Sequence, residues 1–373
     1  MGAWLVLEKW MTPKLFEDTQ SEDEYYLAHD MDEERYEEKI KTHRAEFITE
    51  GDFVKIAALG FNIVRIPVPY FIFNDRPPFI GCIAELDRAF NWAEANGLKI
   101  LIDLHTSPYN QNAFDNGGIS GVCKWAQHPE EVDFVLSVLM RLAGRYKARN
   151  GLWGIEILNE PLTPKMWDII KPQEQFPPRE EKMAEGSAPI SFDFLYNFYT
   201  KAYNELRMVL PKDKVIVLHD GFDLSMWKDF FQGQNFDNVM LDIHHYLVFD
   251  KDPSTENLKG YTAHLKQLGE QISEVSQYVP VVTGEWSLFN HFISKLTPNP
   301  LHAKDPLERA EQEAEIKAFY ESLWEASVSA WNNGEGYFYW TYKLNIDTVN
   351  EPEKFGMDCW DLSRALAKRW GHI

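Results

Sequence analysis

Two glutamates at the ends of apolar runs are the residues of this sequence best suited to chemistry. Glu160 follows the run at 155–158, and Glu285 closes the run at 281–284. Two carboxyl groups facing each other across a small gap perform double displacement at an anomeric carbon, in which one protonates the leaving oxygen while the other attacks and forms a covalent glycosyl intermediate. The pair predicts a retaining glycosidase, with Glu160 as general acid/base and Glu285 as nucleophile.

Neighbouring groups should set which carboxyl takes which role. Arg65, if it reaches Glu285, keeps that carboxyl ionised and nucleophilic. Partial desolvation and the second carboxylate raise the pKa of Glu160, as a general acid requires. We therefore expect opposed pKa shifts at the two groups.

Further polar or aromatic residues stand at the ends of predicted strands. A strand end fixes a side chain while the following loop encloses it, so these positions are candidates for catalysis and binding. They are Glu8, Arg65, His105, Asn159, His244, Tyr246 and Trp340, in addition to the two glutamates.

Eight short β-rich runs supply those ends, at residues 3–7, 62–66, 99–104, 154–158, 215–219, 239–244, 281–285 and 337–340. Segments of helical period separate them; Leu86, Phe90 and Ala93, for example, precede Gly97 and the next run. Eight strand–helix units of this kind predict an α/β fold, the (β/α)8 TIM barrel.

Residues 1–373 are predicted to form a single catalytic domain, because no linker composition or internal repeat divides them. Two proline-rich segments, 171–191 and 292–307, are predicted to be long loops after the fourth and seventh strands. Both would lie on the face where barrel active sites form.

The formal net charge of −21 disfavours nucleic acid and anionic membranes as partners and leaves a neutral substrate as the natural one. Three widely spaced cysteines indicate neither a disulfide framework nor a zinc site. The sequence has no secretion signal and no run long enough to cross a membrane, so a cytoplasmic location is expected as written, or secretion if a signal was removed. It does not determine the oligomeric state.

Metal-dependent hydrolysis is another interpretation of His105, His244 and His245 with the acidic groups, since barrels also carry such enzymes. It is disfavoured because the histidines lack the spacing of ligand pairs and because Arg65 would repel a cation. No glycine-rich phosphate loop or basic cluster suggests an organic cofactor either. We expect no metal and no cofactor.

These residues resemble glycoside hydrolase family five of the clan A barrels, in its exo-β-1,3-glucanase branch, over essentially the whole chain. The similar motifs are Leu158-Asn159-Glu160-Pro161 for the acid/base, Gly284-Glu285-Trp286-Ser287 for the nucleophile, and the segments at 2–8, 102–105, 111–116 and 244–249. The resemblance implies a β-glucan or oligosaccharide substrate.

The resemblance also implies roles for single residues. Glu8 and Asp115 would bind the terminal glucose, Asn159 its 2-hydroxyl, and Tyr246 the nucleophile. The other residues that it places at the substrate are Arg65, His105 and His244 around the reaction centre, Trp340 as an aromatic platform, and Phe114 with Phe249 as a clamp on the second sugar.

The chain departs from that branch at Tyr109-Asn110, Leu247 and Tyr342, which border the aglycone side. The function predicted is release of glucose from non-reducing ends of β-1,3-glucans. Two alternatives stay open: a β-glucosidase or diglycosidase of β-1,4 or β-1,6 linkage, and a catalytically silent carbohydrate-binding barrel.

Overall fold

The computed structural model describes residues 1–247, 256–291 and 306–372, which form two compact units, Met1–Asp242 and Ile243–Ile373. The prediction of one domain over residues 1–373 stays a prediction.

Seven parallel strands neighbour one another in sequence order. They are β1 (Ile63–Val68), β2 (Lys99–Leu104), β3 (Leu152–Glu156), β4 (Val215–His219), β5 (Val239–His245), β6 (Val281–Trp286) and β7 (Tyr337–Tyr339). Apart from their first residues, β1 and β2 are buried throughout, as expected of strands covered on both faces. Parallel strands in sequence order with helical crossovers are the connectivity of the predicted (β/α)8 class, which is confirmed.

Helices separate the strands. In the described residues they are α1 (Glu24–Asp30), α2 (Glu33–Glu46), α3 (Glu50–Ala58), α4 (Ile83–Ala95), α5 (Pro129–Tyr146), α6 (Pro164–Ile170), α7 (Pro172–Gln175), α8 (Glu181–Ala184), α9 (Phe192–Arg207), α10 (Trp227–Gln232), α11 (Leu258–Val275), α12 (Pro306–Trp331) and α13 (Leu362–Ala367). The predicted apolar stripe of Leu86, Phe90 and Ala93 is the buried face of α4. Gly97 follows that helix with a φ of +71°, a conformation that favours glycine.

The predicted first strand is wrong, because residues 3–7 form a turn and bends followed by irregular chain, and not a strand. Ala3 has a φ of +55°, which is incompatible with an extended strand. The Met1 ammonium donates to the Arg65 carbonyl at 2.7 Å, and Trp4 Nε1 donates to the Arg44 carbonyl at 2.9 Å. The segment is therefore held by tertiary hydrogen bonds and burial instead of ladder pairing.

Two proline-rich segments were predicted to be long loops. The predicted loop at 171–191 contains two single-turn helices, α7 and α8, separated by irregular chain. The predicted loop at 292–307 lies outside the described residues as far as residue 305, and its last two residues begin α12. No helix in the described ranges is long and apolar enough to cross a membrane.

Candidate active site

Strands β1, β2 and β3 of the first unit each bring one charged side chain to a common network. The Arg65 guanidinium binds Glu156 with two hydrogen bonds, Nε to Oε2 at 2.7 Å and Nη2 to Oε1 at 3.0 Å. Nη2 also lies 3.1 Å from Asp103 Oδ2. All three side chains are buried, so the guanidinium supplies the positive charge that these carboxyl groups need in a region without water.

The buried carboxyl groups of this network outnumber the guanidinium that neutralises them, which favours the binding of a proton. Burial raises the pKa of Glu156 well above its ordinary value, with Arg65 opposing the shift and Asp103 and Asp242 adding to it. One guanidinium cannot neutralise three buried carboxylates, so protonation of a carboxyl is favoured. The network is a rigid support for the residues that follow the strands.

His105 and Asn159 are positioned by that support. Asp103 Oδ2 lies 2.6 Å from His105 Nδ1, which places the proton on Nδ1 and turns Nε2 toward Asn159 at 3.5 Å. Arg65 Nη2 donates to Asn159 Oδ1 at 2.9 Å, so the amide nitrogen of Asn159 points away from the guanidinium. The predicted grouping of Arg65, His105 and Asn159 is thus found within the first unit.

Glu160 is held in an unusual backbone conformation. Its φ is +45°, which is rare for a residue with a side chain and is characteristic of functional sites. The side chain is only 4% exposed, and its Oε2 accepts a hydrogen bond from Asn116 Nδ2 at 2.7 Å. Asn112 Nδ2 donates to Asn116 Oδ1 at 3.0 Å, which fixes the orientation of the Asn116 amide.

The predicted glucose-binding carboxyls, Asp115 and Glu8, both lie in the first unit. Burial raises the pKa of Asp115 to about 7, with smaller contributions from the charges of Asp23 and Glu160. Glu8 is 4% exposed, and its Oε2 accepts from Trp10 Nε1 at 2.8 Å. Carboxyl groups with little exposure to solvent suit the binding of sugar hydroxyls.

Of the two phenylalanines in the predicted clamp, Phe114 lies among the described residues. Phe114 is buried, and its ring packs against Phe176 with centroids 5.3 Å apart and against Phe222 at 6.5 Å. Phe249 lies outside the described residues.

Glu285 lies at the centre of a cluster of polar side chains in the second unit. It is the next-to-last residue of β6, and its side chain is 3% exposed. Tyr246 donates its hydroxyl to Glu285 Oε2 at 2.7 Å, and His244 Nδ1 lies 3.4 Å from the same oxygen. Hydrogen bonds to the charged form stabilise a carboxylate, so these contacts favour an ionised Glu285.

Trp340 directly follows β7 in the same unit and is buried. Its backbone N–H donates to the Trp286 carbonyl at 2.8 Å, which fixes it beside the end of β6. The structure thus places three predicted site residues together here, Glu285, Tyr246 and His244, with Trp340 following the neighbouring strand.

The sequence-based prediction missed three residues that contact the predicted site: Asp103, Glu156 and Asn116. An acidic residue within or at the end of a mainly apolar strand was an available signal for the first two. Asn116 carried no such signal, because its role depends on a contact with Glu160 across 44 residues of sequence.

The chemistry of these side chains suits proton transfer and sugar binding better than metal binding. Asp103 and Glu156, two of the strand-borne carboxyls, already surround the Arg65 guanidinium. A permanent cation at that position repels a metal ion.

Comparisons with known proteins show sequences and folds that are similar to those of this chain. The model of the family "Cellulase (glycosyl hydrolase family 5)" matches residues 31–292. A probable glucan 1,3-beta-glucosidase A of Aspergillus niger is 29% identical over 99% of this chain and 85% of its own length, and the enzyme of that name from Emericella nidulans is 35% identical over 77% and 65%. Among solved structures, rutinosidase from Aspergillus niger has a similar fold, with a TM-score of 0.71 and 18% identity over 94% of this chain and 90% of that one.

Proposed function

Because this chain belongs to glycosyl hydrolase family 5 and is a glycoside hydrolase, we propose that it releases glucose from the non-reducing ends of β-1,3-glucans with retention of configuration. Glu160 is the general acid/base and Glu285 the nucleophile of this proposal. The observation that carries it is the different surrounding of the two carboxyl groups. Glu285 accepts a hydrogen bond from the Tyr246 hydroxyl and lies 3.4 Å from His244 Nδ1, and Glu160 accepts one from the Asn116 amide.

The reaction proceeds in two steps. In the first, Glu160 gives its proton to the glycosidic oxygen while a Glu285 carboxylate oxygen attacks the anomeric carbon and the bond to the leaving group breaks. In the second, Glu160 takes a proton from water, which attacks the same carbon and releases Glu285. Retention requires the two carboxyl groups to lie about 5 Å apart.

Exo action rests on Glu8 and Asp115 as the end of a closed pocket. A buried carboxylate that binds the outer hydroxyls of a terminal glucose would be left unpaired if a further sugar took their place, and that costs binding energy. Laminari-oligosaccharides should therefore lose one glucose at a time. Mixed laminaribiose and laminaritriose in the first minutes would contradict the closed pocket.

The assignment of the two glutamates is tested with leaving groups of different quality. Glu285→Ala should be nearly inactive on every substrate, since each one needs the nucleophile. Glu160→Ala should keep much more activity on dinitrophenyl glucosides than on oligosaccharides. When azide is added, this variant should form β-glucosyl azide. Formation of the β-azide by Glu285→Ala instead would reverse the assignment.

The stereochemical course and the linkage need separate measurements. Proton NMR of the first-formed sugar should show the β-anomer, and an α-anomer would reject double displacement. Rates on laminari- against cello-oligosaccharides should favour the β-1,3 linkage.

A further inference from the structure

A cleft of about 220 Å³ opens in the first unit beside the predicted glucose-binding residues. Its walls combine aromatic rings with polar groups: Tyr25, Tyr70, Phe79 and Tyr109 with Glu24 and Thr106. The volume lies below the roughly 300–1,000 Å³ of sites for drug-sized ligands. The cleft therefore suits a single small ring rather than an extended chain.

Glu24 gives the cleft an unused hydrogen-bonding group. The residue is 1% exposed, and its Oε2 accepts from the Leu7 backbone N–H at 3.1 Å. Its Oε1 has no hydrogen-bond partner in the described part of the chain. A buried carboxyl oxygen without a partner is costly, so the geometry calls for a donor that enters from the cleft.

Tyr109 supplies an accessible ring at the same cleft. Its side chain is 44% exposed although it stacks on His128 with centroids 4.4 Å apart, so the ring is held in place while much of it stays available. The next residue, Asn110, is buried and donates from Nδ2 to the carbonyls of Phe114 and Ile119 at 2.8 and 2.7 Å. These bonds clamp the loop that carries Tyr109.

Neighbours of the candidate active-site residues line the cleft or bind its walls. Gly117 and Gly118 line it, and they directly follow Asn116, which binds Glu160. Glu24, which also lines it, accepts a hydrogen bond from the backbone N–H of Leu7, the residue before Glu8. The walls of the cleft are thus linked through neighbouring residues to both carboxyls proposed to close the glucose pocket.

We propose that this cleft binds one neutral glycosyl unit, with a sugar face on Tyr109 and a sugar hydroxyl donating to Glu24 Oε1. Aromatic rings offer an apolar surface to the C–H faces of a sugar, and a carboxylate accepts from its hydroxyls. An anionic ligand is disfavoured because Glu24 has a carboxyl and because Arg76, the cation in the lining, is paired with Glu131 at 2.7 Å. The inference goes beyond glucan hydrolysis, since the unit bound here is not the one cleaved.

Binding is measured with the glucose pocket blocked. Labelling of the enzyme by a 2-fluoro-glucosyl inactivator, followed by intact mass, fills the pocket and at the same time checks the nucleophile, so failure of the proposed hydrolysis would be seen separately. Titration of the labelled enzyme with laminaribiose, followed by NMR at pH 7.5, then reports the cleft.

Matched variants identify the groups involved. Tyr109→Ala should raise the Kd for laminaribiose about three- to tenfold, as expected for the loss of one ring contact. Tyr109→Phe, which keeps the ring, should leave the Kd unchanged. Glu24→Gln should weaken it as well, because an amide nitrogen replaces an acceptor. Tyr278→Ala removes a ring that is 40% exposed and does not line the cleft, and it should have no effect.

The proposal is overturned if the labelled enzyme shows no saturable binding, in which case Glu24 Oε1 serves only a water molecule. It is equally overturned if Tyr109→Ala binds as tightly as the wild type. Kinetics of the unlabelled enzyme then assign the source of the sugar. Slower cleavage of nitrophenyl gentiobioside by Tyr109→Ala, with nitrophenyl glucoside unchanged, places the unit on the substrate itself, whereas slower action on laminarin alone places it on a second stretch of glucan.

Discussion

Replacement of Asn116 by alanine isolates a single hydrogen bond to the proposed acid/base. Asn116 Nδ2 donates to Glu160 Oε2 at 2.7 Å, and Asn112 keeps the amide in that orientation. A donor to a carboxyl oxygen stabilises the charged form, so it lowers the pKa of Glu160. Its removal should therefore raise that pKa.

The size of the shift follows from the energy of such a bond. A hydrogen bond to a charged group contributes about 1.5–3 kcal/mol, and one pH unit corresponds to about 1.4 kcal/mol. The upper limit is thus about two units. Because Asn116 is only half-buried, water replaces part of the lost interaction, and we expect a shift of about one unit.

The assay is the pH dependence of kcat/KM on a laminari-oligosaccharide, in which the alkaline limb reports the acid/base of the free enzyme. In Asn116→Ala this limb should move up by about one pH unit, and kcat should fall several-fold because a weaker acid protonates the leaving oxygen less well. Asn112→Ala removes the hydrogen bond that orients the Asn116 amide but leaves that amide in place. It should therefore shift the alkaline limb in the same direction by a smaller amount. An alkaline limb at the wild-type pH, with activity reduced, would refute the argument and leave Asn116 a role in binding alone.

Three further outcomes are expected. Tyr246→Phe should lower kcat/KM about 10- to 100-fold and raise the acid limb of its pH profile, because Glu285 loses a charge-assisted donor; an unmoved acid limb would deny this role. Burial raises the pKa of Glu24 from 4.5 to about 7, so between these pH values the folded state keeps a proton that the unfolded state has lost. The free energy of unfolding should therefore fall by roughly 3 kcal/mol as the pH rises from 4.5 to 7. Glu24→Gln should not show this fall in stability. If the denaturation midpoints of the wild type and of Glu24→Gln change by the same amount between pH 5 and pH 8, the assignment to Glu24 is contradicted. Arg65→Met should lower the free energy of unfolding by about 3 to 5 kcal/mol in urea titrations, because the buried carboxyls of Glu156 and Asp103 lose the cation that they share; a loss below 1 kcal/mol would show that the network does not depend on this cation.

Strand and helix positions were largely predictable because burial on both faces leaves a direct record in the sequence. The run at 99–104 coincides with β2, and the predicted stripe of Leu86, Phe90 and Ala93 is the buried face of α4. The run at 3–7 has the same apolar character, yet it forms a turn and bends. Its conformation depends on hydrogen bonds to Arg44 and Arg65, which lie about 40 and 60 residues away, and no local pattern records such partners.

The sequence by itself determined the fold class, the two glutamates and the residue types around them, since apolar runs and their polar ends are local properties. The tertiary structure decided which groups meet. Arg65 binds Glu156, Asp103 and Asn159, a set distributed over about 90 residues, and Asn116 reaches Glu160 from a different loop. It also decided that Glu24 is buried at a cleft, where one of its oxygens has no hydrogen-bond partner among the described residues. Burial and hydrogen bonding of a side chain depend on chain segments that are distant in sequence, and for that reason these contacts emerge only once the chain has folded.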